Sequence, residues 1–446
     1  MTTLHLLLIL LLACGVAQSS KTVRVSPLQF TGKDTKEEEE EDCSMAQPRK
    51  STTNIPLMHV QAKCSPFRNN GSTWLSVMLE SIKGDEQCYR AITQGATSFT
   101  TQEDAGVPLA VKKGSYVINL GFGTPQQSFY TLLDTGSEIT WIPCAACTNC
   151  SGDVFDPSKS STFEYVNCTS KVCGEALGSC GNEKCRFRQR YADGSEVNEW
   201  LSNDSLAVGS QSLPGFIFGY ANSLSGLISS SLGLVGFGSH GLSFVSQTVN
   251  LFQNTFSYCL PNSDSTGCLD LGIDALNYPD LQFTSLLSDA SNPTFYYVRL
   301  IAISVGAQRV LIDSATIIDS GTTITRLVEP FYSAVRDTFL LQFKNYSLAA
   351  PYGIFDMCFY IHSGGIKVPQ ITLHFDRDVN VSLPSDNFLI RTNVEGSVAC
   401  LAFAPPLEEE APGISVFGNF QQRNFRYVYD IPGSRLGIAP QSCNRC

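Results

Sequence analysis

Two six-residue segments of this chain repeat each other, and the repeat constrains the fold more than any other feature. Leu132–Ser137 reads LLDTGS and Ile317–Thr322 reads IIDSGT. Further along each half, two apolar residues precede a glycine, at Leu234–Gly236 and at Val416–Gly418. The same elements in the same order predict two lobes of related fold that face each other across a cleft.

Each repeat carries one acid directly after an apolar strand, Asp134 in the first and Asp319 in the second. If pseudo-symmetry brings the two acids together, both cannot ionise without a large electrostatic cost. One then keeps its proton while the other loses it, so the pair supplies an acid and a base at one site. We therefore predict Asp134 and Asp319 as catalytic residues.

The residues that follow each aspartate suit a supporting role. Gly136 and Gly321 allow the chain to turn where a Cβ atom would clash. Ser137 and Thr322 each have a hydroxyl that can donate a hydrogen bond to the outer oxygen of the neighbouring carboxylate. All four are predicted to support the acidic pair.

The composition favours β-structure and argues against several other chemistries. Many glycines, aromatic residues and Val, Thr and Ile runs favour an all-β fold, with helical patterns confined to short stretches at residues 74–93, 242–249, 328–343 and 385–389. The formal net charge of −11 argues against a nucleic-acid partner. The five histidines form no zinc-like cluster, so we predict neither a metal nor a cofactor.

The N-terminus predicts entry into the secretory pathway. An unbroken apolar run over 6–13, followed by small residues, indicates a signal peptide at residues 1–19. The 17 cysteines then indicate disulfides. No later apolar run is long enough for a membrane span, so we predict a secreted (apoplastic) or vacuolar protein without a membrane anchor. Four sequons are predicted to carry glycans: Asn70, Asn203, Asn345 and Asn380.

The two acidic motifs have a wider context that resembles a known family. The segments LLDTGSEITW and IIDSGTTITRL resemble the two active-site signatures of pepsin-like aspartic proteases. The segment 417–439, reading FGNFQQRNFRYVYDIPGSRLGIA, and the FSYCL at 256–260 are similar to the plant, nepenthesin-like branch of that family. The resemblance spans roughly residues 114–443. It implies an all-β, bilobal, pepsin-like fold and a secreted aspartic endopeptidase.

The resemblance also implies a domain plan. Residues 20–105 would be a propeptide, because the segment 59–92 with its CSPF is similar to that of the same branch. Residues 106–290 would form the N-terminal catalytic lobe, with a cysteine-rich insertion at 144–185, and residues 291–446 the C-terminal lobe. The implied enzyme is a monomeric zymogen whose partners are protein or peptide substrates and its own propeptide.

A flap hairpin is implied at the segment RYADGS, residues 190–195. Tyr191 would close over the substrate, with Asp193, Gly194 and Ser195 completing the flap, and Trp141 would support it. The segment departs from the family at two points: Ala192 stands where the family has glycine, and Glu199-Trp200-Leu201 stands where a glycine and a small residue are usual.

The resemblance further implies five disulfides: Cys144–Cys147, Cys168–Cys185, Cys173–Cys180, Cys259–Cys443 and Cys358–Cys400. The family would pair Cys150 with a cysteine after the flap, but Tyr220 occupies that position here. Cys150, Cys268 and Cys446 are therefore left over. A bond between two of them, a free thiol and an intermolecular bridge are all open on the sequence alone.

Two competing functions are compatible with parts of the sequence. The chain would be an inhibitor or binding protein if it were a catalytically impaired member of the pepsin fold, although such members usually lose an active-site aspartate or a residue beside it. A lectin-like or structural β-protein would explain the β-content and the sequons, but not the paired motifs.

Overall fold

A computed structural model describes a large part of the chain: residues 22–25, 53–68, 75–79, 81–82, 115–150, 152–176, 178–190, 196–225, 232–239, 241–262, 265–289, 292–342, 346–361, 366–392, 396–406 and 414–444. The predicted signal peptide, 1–19, lies outside these residues, as do large parts of the predicted propeptide. Within the described residues, no helix is long and apolar enough to cross a membrane.

The prediction of an all-β chain is confirmed, because strands dominate the described residues. Their bounds are β1 (Thr22–Val25), β2 (Asn54–His59), β3 (Tyr116–Phe122), β4 (Gln127–Asp134), β5 (Trp141–Thr148), β6 (Glu164–Tyr165), β7 (Ser179–Gly181), β8 (Lys184–Arg190), β9 (Glu196–Val208), β10 (Gln211–Ser225), β11 (Gly233–Gly236), β12 (Thr255–Cys259), β13 (Thr266–Leu271), β14 (Gln282–Ser285), β15 (Tyr297–Val305), β16 (Gln308–Ile318), β17 (Thr325–Arg326), β18 (Leu348–Ala349), β19 (Cys358–Tyr360), β20 (Ile366–Pro369), β21 (Ile371–Phe375), β22 (Asn380–Ser382), β23 (Leu389–Arg391), β24 (Val398–Leu401), β25 (Phe403–Ala404), β26 (Ser415–Phe417), β27 (Phe425–Asp430) and β28 (Arg435–Pro440).

Helices are short. The α-helices are α1 (Lys171–Glu175), α2 (Phe244–Gln247), α3 (Val249–Phe252), α4 (Phe331–Leu341) and α5 (Asn419–Gln422), and 3-10 turns occupy Pro157–Lys159, Ile273–Leu276 and Ser385–Asn387. Residues 75–79 and 81–82 are also helical, inside the helix predicted at 74–93. The other predicted helical stretches correspond to α2 with α3, to α4 and to the last 3-10 turn.

The strands form one large sheet and three smaller ones. The large sheet has the order β14-β28-β27-β12-β13-β2-β3-β4-β11-β5-β10-β9-β8-β7, with β6 beside β9. The C-terminal half adds a sheet of order β22-β21-β15-β16-β26-β17-β25 and another of order β18-β19-β24-β23, and β1 pairs with β20. Strand alternation is clear in β9, where every second side chain from Val197 to Leu201 is buried.

The large sheet joins the two halves of the chain. Strand β12 from the first half pairs with β27 from the second, from Thr255 opposite Asp430 to Cys259 opposite Arg426. Across this junction the rings of Phe256 and Tyr429 stack with centroids 4.4 Å apart. The continuous hydrogen bonding holds the halves in one relative position.

A strand from the predicted propeptide completes this sheet. Strand β2 lies between β13 and β3 and pairs with both. The side chains of Ile55, Leu57 and Met58 are buried, and Leu57 belongs to the main hydrophobic core. Residues 54–59 of the predicted propeptide are therefore built into the sheet.

The structure joins Cys259 to Cys443 and Cys358 to Cys400, the two pairs that the resemblance implied outside the cysteine-rich insertion. Inside the insertion the pairs differ from those expected. Here the bonds are Cys147–Cys150, Cys168–Cys180 and Cys173–Cys185, and Cys144 is free. Cys268, left over in the sequence analysis, is also disulfide-bonded, as is Cys64.

Burial explains the corrected pairs. Cys144 is buried in the core with Phe155 and Tyr220. Cys147 is only partly buried, and it meets Cys150 across the turn after β5, with Cα atoms 5.6 Å apart. Among the other four cysteines of the insertion, Cys173 and Cys185 are buried and bond to each other. The two that are not buried, Cys168 and Cys180, form the remaining bond.

We predict that Cys144 resists alkylation in the native protein and reacts only after unfolding. Its thiol is buried, and this burial raises its pKa, so the reactive thiolate is scarce. Iodoacetamide added in denaturant without reductant should mark Cys144 and leave Cys147 and Cys150 unmodified, which tandem mass spectrometry can read. A label on Cys150 with Cys144 unmodified would instead support the pair that the resemblance implied.

Candidate active site

Asp134 ends strand β4, and its backbone is held from both sides of that strand. Strand β3 pairs antiparallel with β4, while β11 runs parallel to it and places Gly236 opposite Asp134. The residues before the aspartate, Thr131–Leu133, are buried. The carboxylate is therefore fixed at the end of a rigid element, with only 1% of the residue exposed.

Asp319 occupies the matching position in the second half. It follows β16, which runs parallel to β26 with Ile318 opposite Phe417. The Asp319 amide donates to the carbonyl of Phe417 at 3.1 Å, and 2% of the residue is exposed. Both apolar-apolar-glycine segments thus lie beside the aspartates, as the internal repeat predicts.

The two carboxylates have the same set of donors. The amide of Gly136 lies 2.8 Å from Asp134 Oδ1, and the Ser137 hydroxyl lies 2.6 Å from Oδ2. In the second half the amide of Gly321 lies 2.8 Å from Asp319 Oδ1, and the Thr322 hydroxyl lies 2.6 Å from Oδ2. Each hydroxyl therefore holds one oxygen of its own carboxylate, and each amide holds the other.

The geometry of the glycines shows how close the carboxylates lie. A Cβ atom added to Gly136 would lie 3.1 Å from Oδ1 of Asp319 and 3.2 Å from Oδ1 of Asp134. A Cβ added to Gly321 would lie only 2.4 Å from Oδ1 of Asp134. The carboxylate of the other half therefore occupies the space beside each turn, and a side chain at 321 would collide with it while one at 136 would make a tight contact.

The sequence analysis missed Thr135 and Ser320, the middle residues of the two motifs. The amide of Thr135 donates to the hydroxyl of Ser320 at 3.1 Å, and the amide of Ser320 donates to the hydroxyl of Thr135 at 2.9 Å. Ser320 also donates to the carbonyl of Leu133 at 3.1 Å. These crossed bonds tie the two halves together directly beneath the dyad. A hydroxyl residue at the same position of both repeats was the available signal.

A second set of missed residues supports Asp319 from the C-terminal segment. The Gln422 side-chain amide donates to the carbonyls of Asp319 at 3.1 Å and Phe417 at 2.8 Å. Its oxygen accepts from Tyr258 at 2.6 Å, and the Tyr258 hydroxyl meets that of Tyr429 at 2.8 Å. Burial raises the pKa of Tyr258 well above its usual value, so this hydroxyl stays protonated and can donate.

The flap residues Tyr191, Asp193, Gly194 and Ser195 lie outside the described residues, and Ala192 does as well. The strands on either side are described: β8 and β9 pair antiparallel as far as Arg190 opposite Glu196. Trp141, the predicted support, is fully buried on β5, opposite Leu234 of β11 and Gly219 of β10.

Two of the four predicted glycosylation sites can be placed. Asn380 is exposed on β22, and Asn203 is half-buried on β9, opposite Glu164 and Ile217. Asn70 and Asn345 lie outside the described residues. Glycosylation at the four positions stays a prediction.

Comparison with known proteins decides the family. Family models described as "Xylanase inhibitor N-terminal" and "Xylanase inhibitor C-terminal" match residues 116–273 and 295–440. The chain is 34% identical to Aspartyl protease AED3 of Arabidopsis thaliana, over 90% of this chain and 94% of that one. It is also 33% identical to aspartic proteinase nepenthesin-1 of Nepenthes gracilis, over 89% and 95%. The chain belongs to the pepsin-like aspartic protease family. The resemblance seen in the sequence to its nepenthesin-like branch is thereby confirmed.

Solved structures agree on the fold of this aspartic protease family member. Conglutin gamma, a basic 7S globulin from lupine seeds, superposes with a TM-score of 0.60 over 73% of this chain and 91% of the other, at 22% identity. Basic 7S globulin from soybean gives 0.61 over the same shares, at 20% identity. At these identities the likeness concerns the fold, and it confirms the bilobal, pepsin-like class.

Proposed function

We propose that this chain is a secreted aspartic endopeptidase, made as a zymogen, that hydrolyses peptide bonds with a water molecule held between Asp134 and Asp319. The observation that carries the proposal is the matched set of donors on two neighbouring carboxylates. Aspartic proteases are the known example of two such groups sharing one proton. A signal peptide at 1–19 would send the enzyme to the apoplast or to the vacuole.

In the proposed mechanism the two carboxylates have complementary roles. The unprotonated one takes a proton from the water, whose oxygen attacks the peptide carbonyl, while the protonated one donates to the carbonyl oxygen. Ser137 and Thr322 hold the outer oxygens. The two inner oxygens, Oδ1 of each aspartate, both lie beside Gly136, 3.2 Å and 3.1 Å from the place of an added Cβ atom, and would bind the shared water. The intermediate is not covalent.

The packing of the segment before residue 106 supports the zymogen. Strand β2 completes the sheet, and Met58 and Val60 pack in one cluster with Leu132 and Trp141 of the N-terminal half. Met78 and Ile82 pack against Ile324 and other residues of the C-terminal half. The segment therefore contacts both lobes. Its departure would uncover apolar surface on each.

The alternative is a catalytically impaired inhibitor or binding protein of the same fold. Its support lies in the inhibitor description of the family models and in the globulin-like structures. Against it stand both aspartates, both hydroxyl neighbours and the crossed Thr135–Ser320 bonds. An inhibitor has no need of this preserved machinery, so the protease is the better conclusion.

The full chain should cleave a denatured protein at a pH of about 4, after processing near residue 105, and pepstatin should stop the cleavage. The measurement is substrate loss by gel or mass spectrometry, with and without pepstatin. N-terminal sequencing of the processed protein then shows whether the propeptide was removed. A processed, folded protein that cuts nothing between pH 3 and 7 would contradict the proposal and favour the inhibitor.

A further inference from the structure

Glu199 is a buried acid in β9, the strand that follows the predicted flap segment. It lies on β9, opposite Phe187 of β8 and Ala221 of β10, and it is 0% exposed. Its carboxyl group fills the space that glycine leaves at position 219. A Cβ atom there would lie 1.6 Å from Oε2 of Glu199 and 3.0 Å from the Cβ of Trp141. The carboxyl group therefore sits between three strands, beside the tryptophan predicted to support the flap.

Neither oxygen of Glu199 has a hydrogen-bond partner among the described residues. The neighbouring side chains on its face of β9 are Val197 and Leu201, both fully buried and apolar. A neutral polar group left unpaired in this way costs stability, and an ionised one costs far more. Glu199 thus has a strong preference for its protonated form while the sheet is intact.

The titratable groups on the surrounding strands do not compensate a charge there. On β8, Arg186 and Arg188 are exposed and alternate with Phe187, so they point to the other face, and Arg188 pairs with Glu196. Strand β10 has only Tyr220, which is opposite Trp200 and so on the other face, and β5 has only cysteines. Elsewhere in this part of the molecule His59 packs on Tyr116, Lys184 lies over the Tyr165 ring, and Lys63 is exposed. Tyr130 packs against the same cluster as Trp141 and Val197, and burial raises its pKa, so it supplies no positive charge.

We propose that Glu199 is a pH gate on the β8–β9–β10 unit, whose strands β8 and β9 flank the predicted flap segment: protonated, it is accommodated between the strands, and ionised, it forces them apart. Burial, with no charged group contributing, raises the pKa of Glu199 well above its usual value. Below about pH 4.3 the side chain is protonated in both the folded and the unfolded chain, so it does not affect the pH dependence of folding. Above that pH the unfolded chain loses the proton and the folded chain keeps it. The equilibrium constant for folding then falls about tenfold for each pH unit, until the pH exceeds the pKa of Glu199 in the folded chain.

The experiment is chemical unfolding of the full chain between pH 4 and 8, for the wild type and for Glu199→Gln. The amide has the shape of the acid and cannot ionise. Near pH 4 we expect the stability of the two proteins to depend on pH in the same way. Above it, the folding equilibrium constant of the variant, relative to that of the wild type, should rise about tenfold for each pH unit. Glu164→Gln is the matched control, because Glu164 lies on the adjacent strand β6 and is exposed. The control should follow the wild type.

If the free energy of unfolding changes with pH equally in the wild type and in Glu199→Gln, the proposal is overturned. If the variant does not fold, hydrogen exchange in the wild type provides the test. Amide protection over 197–201, corrected for the intrinsic pH effect, should fall as the pH rises from 4 to 7, and unchanged protection would also overturn the gate. Neither readout is cleavage, so the outcome does not depend on the proposed function.

Discussion

Replacing Asp134 with asparagine is expected to lower kcat at least about a thousandfold and to leave the melting temperature nearly unchanged. The amide keeps the shape of the carboxylate: its oxygen can accept from the Gly136 amide, and its NH2 group can donate to the Ser137 hydroxyl, which turns to accept. It cannot share a proton with Asp319 or take one from water. Because the site is symmetric, Asp319→Asn should have the same effect. Initial rates on a quenched peptide at acidic pH would measure both.

The control for these variants is Asp378→Asn. Asp378 is exposed and has a left-handed backbone conformation, φ 59°, that asparagine tolerates. The Asp378→Asn variant should therefore be as active as the wild type.

A steric change in the turns beside the aspartates should also lower activity. In Gly321→Ala the new Cβ would meet Oδ1 of Asp134 at 2.4 Å, whereas at Gly136 the nearest contact is 3.1 Å. Gly321→Ala should therefore lose more activity than Gly136→Ala. Equal rates for Asp134→Asn and wild type would refute the dyad.

Replacing Arg426 with methionine is expected to destabilise the full chain by about 3–5 kcal/mol. Arg426 is 1% exposed and bonds to the Asp270 carboxylate, to the Ser257 hydroxyl at 2.6 Å and to Gln441 at 2.7 Å. Its guanidinium also stacks over Tyr278, 3.6 Å from the ring centroid. Methionine would fill part of the volume but leave the Asp270 carboxyl group without its cationic partner. Urea unfolding at neutral pH measures the loss.

Two further variants separate charge from packing. If a stranded charge is the cause, adding Asp270→Asn to the Arg426 variant should recover part of the lost stability. The exposed pair of Arg299 and Asp313 provides the comparison, because water screens it on both sides. Arg299→Met should leave the unfolding midpoint unchanged. Similar losses for the buried and the exposed arginine would contradict this account.

The same cluster ties the predicted propeptide to the enzyme body. Asp270 also accepts a hydrogen bond from Asn54 of β2, at 2.6 Å. The sequence analysis predicted no strand at 54–59. Sequence patterns could not show that this strand enters the middle of a sheet, because that position depends on pairing with β13, more than 200 residues away.

The cysteines show where a local pattern stops being informative. Cys358–Cys400 and Cys259–Cys443 lie on well-defined strands or beside them, and the pairs implied by the resemblance agree with the structure. In the insertion, several cysteines lie within a short length of chain, so many pairings have similar loop lengths. Which side chains are buried together decides among them, and burial depends on the whole lobe.

The sequence alone determined the acidic pair, its glycine turns and its hydroxyl donors, since each is written into a short segment next to the aspartate it serves. The repeat also determined that there are two such segments in related surroundings. Only the tertiary structure decided how they meet. Three features depend on residues that are separated in the chain: the crossed bonds of Thr135 and Ser320, the bond from Gln422 to Asp319, and the position of the Glu199 carboxyl group over Gly219. Such contacts exist only after the strands have paired, because burial and hydrogen-bond geometry are properties of the packed sheet rather than of any one segment.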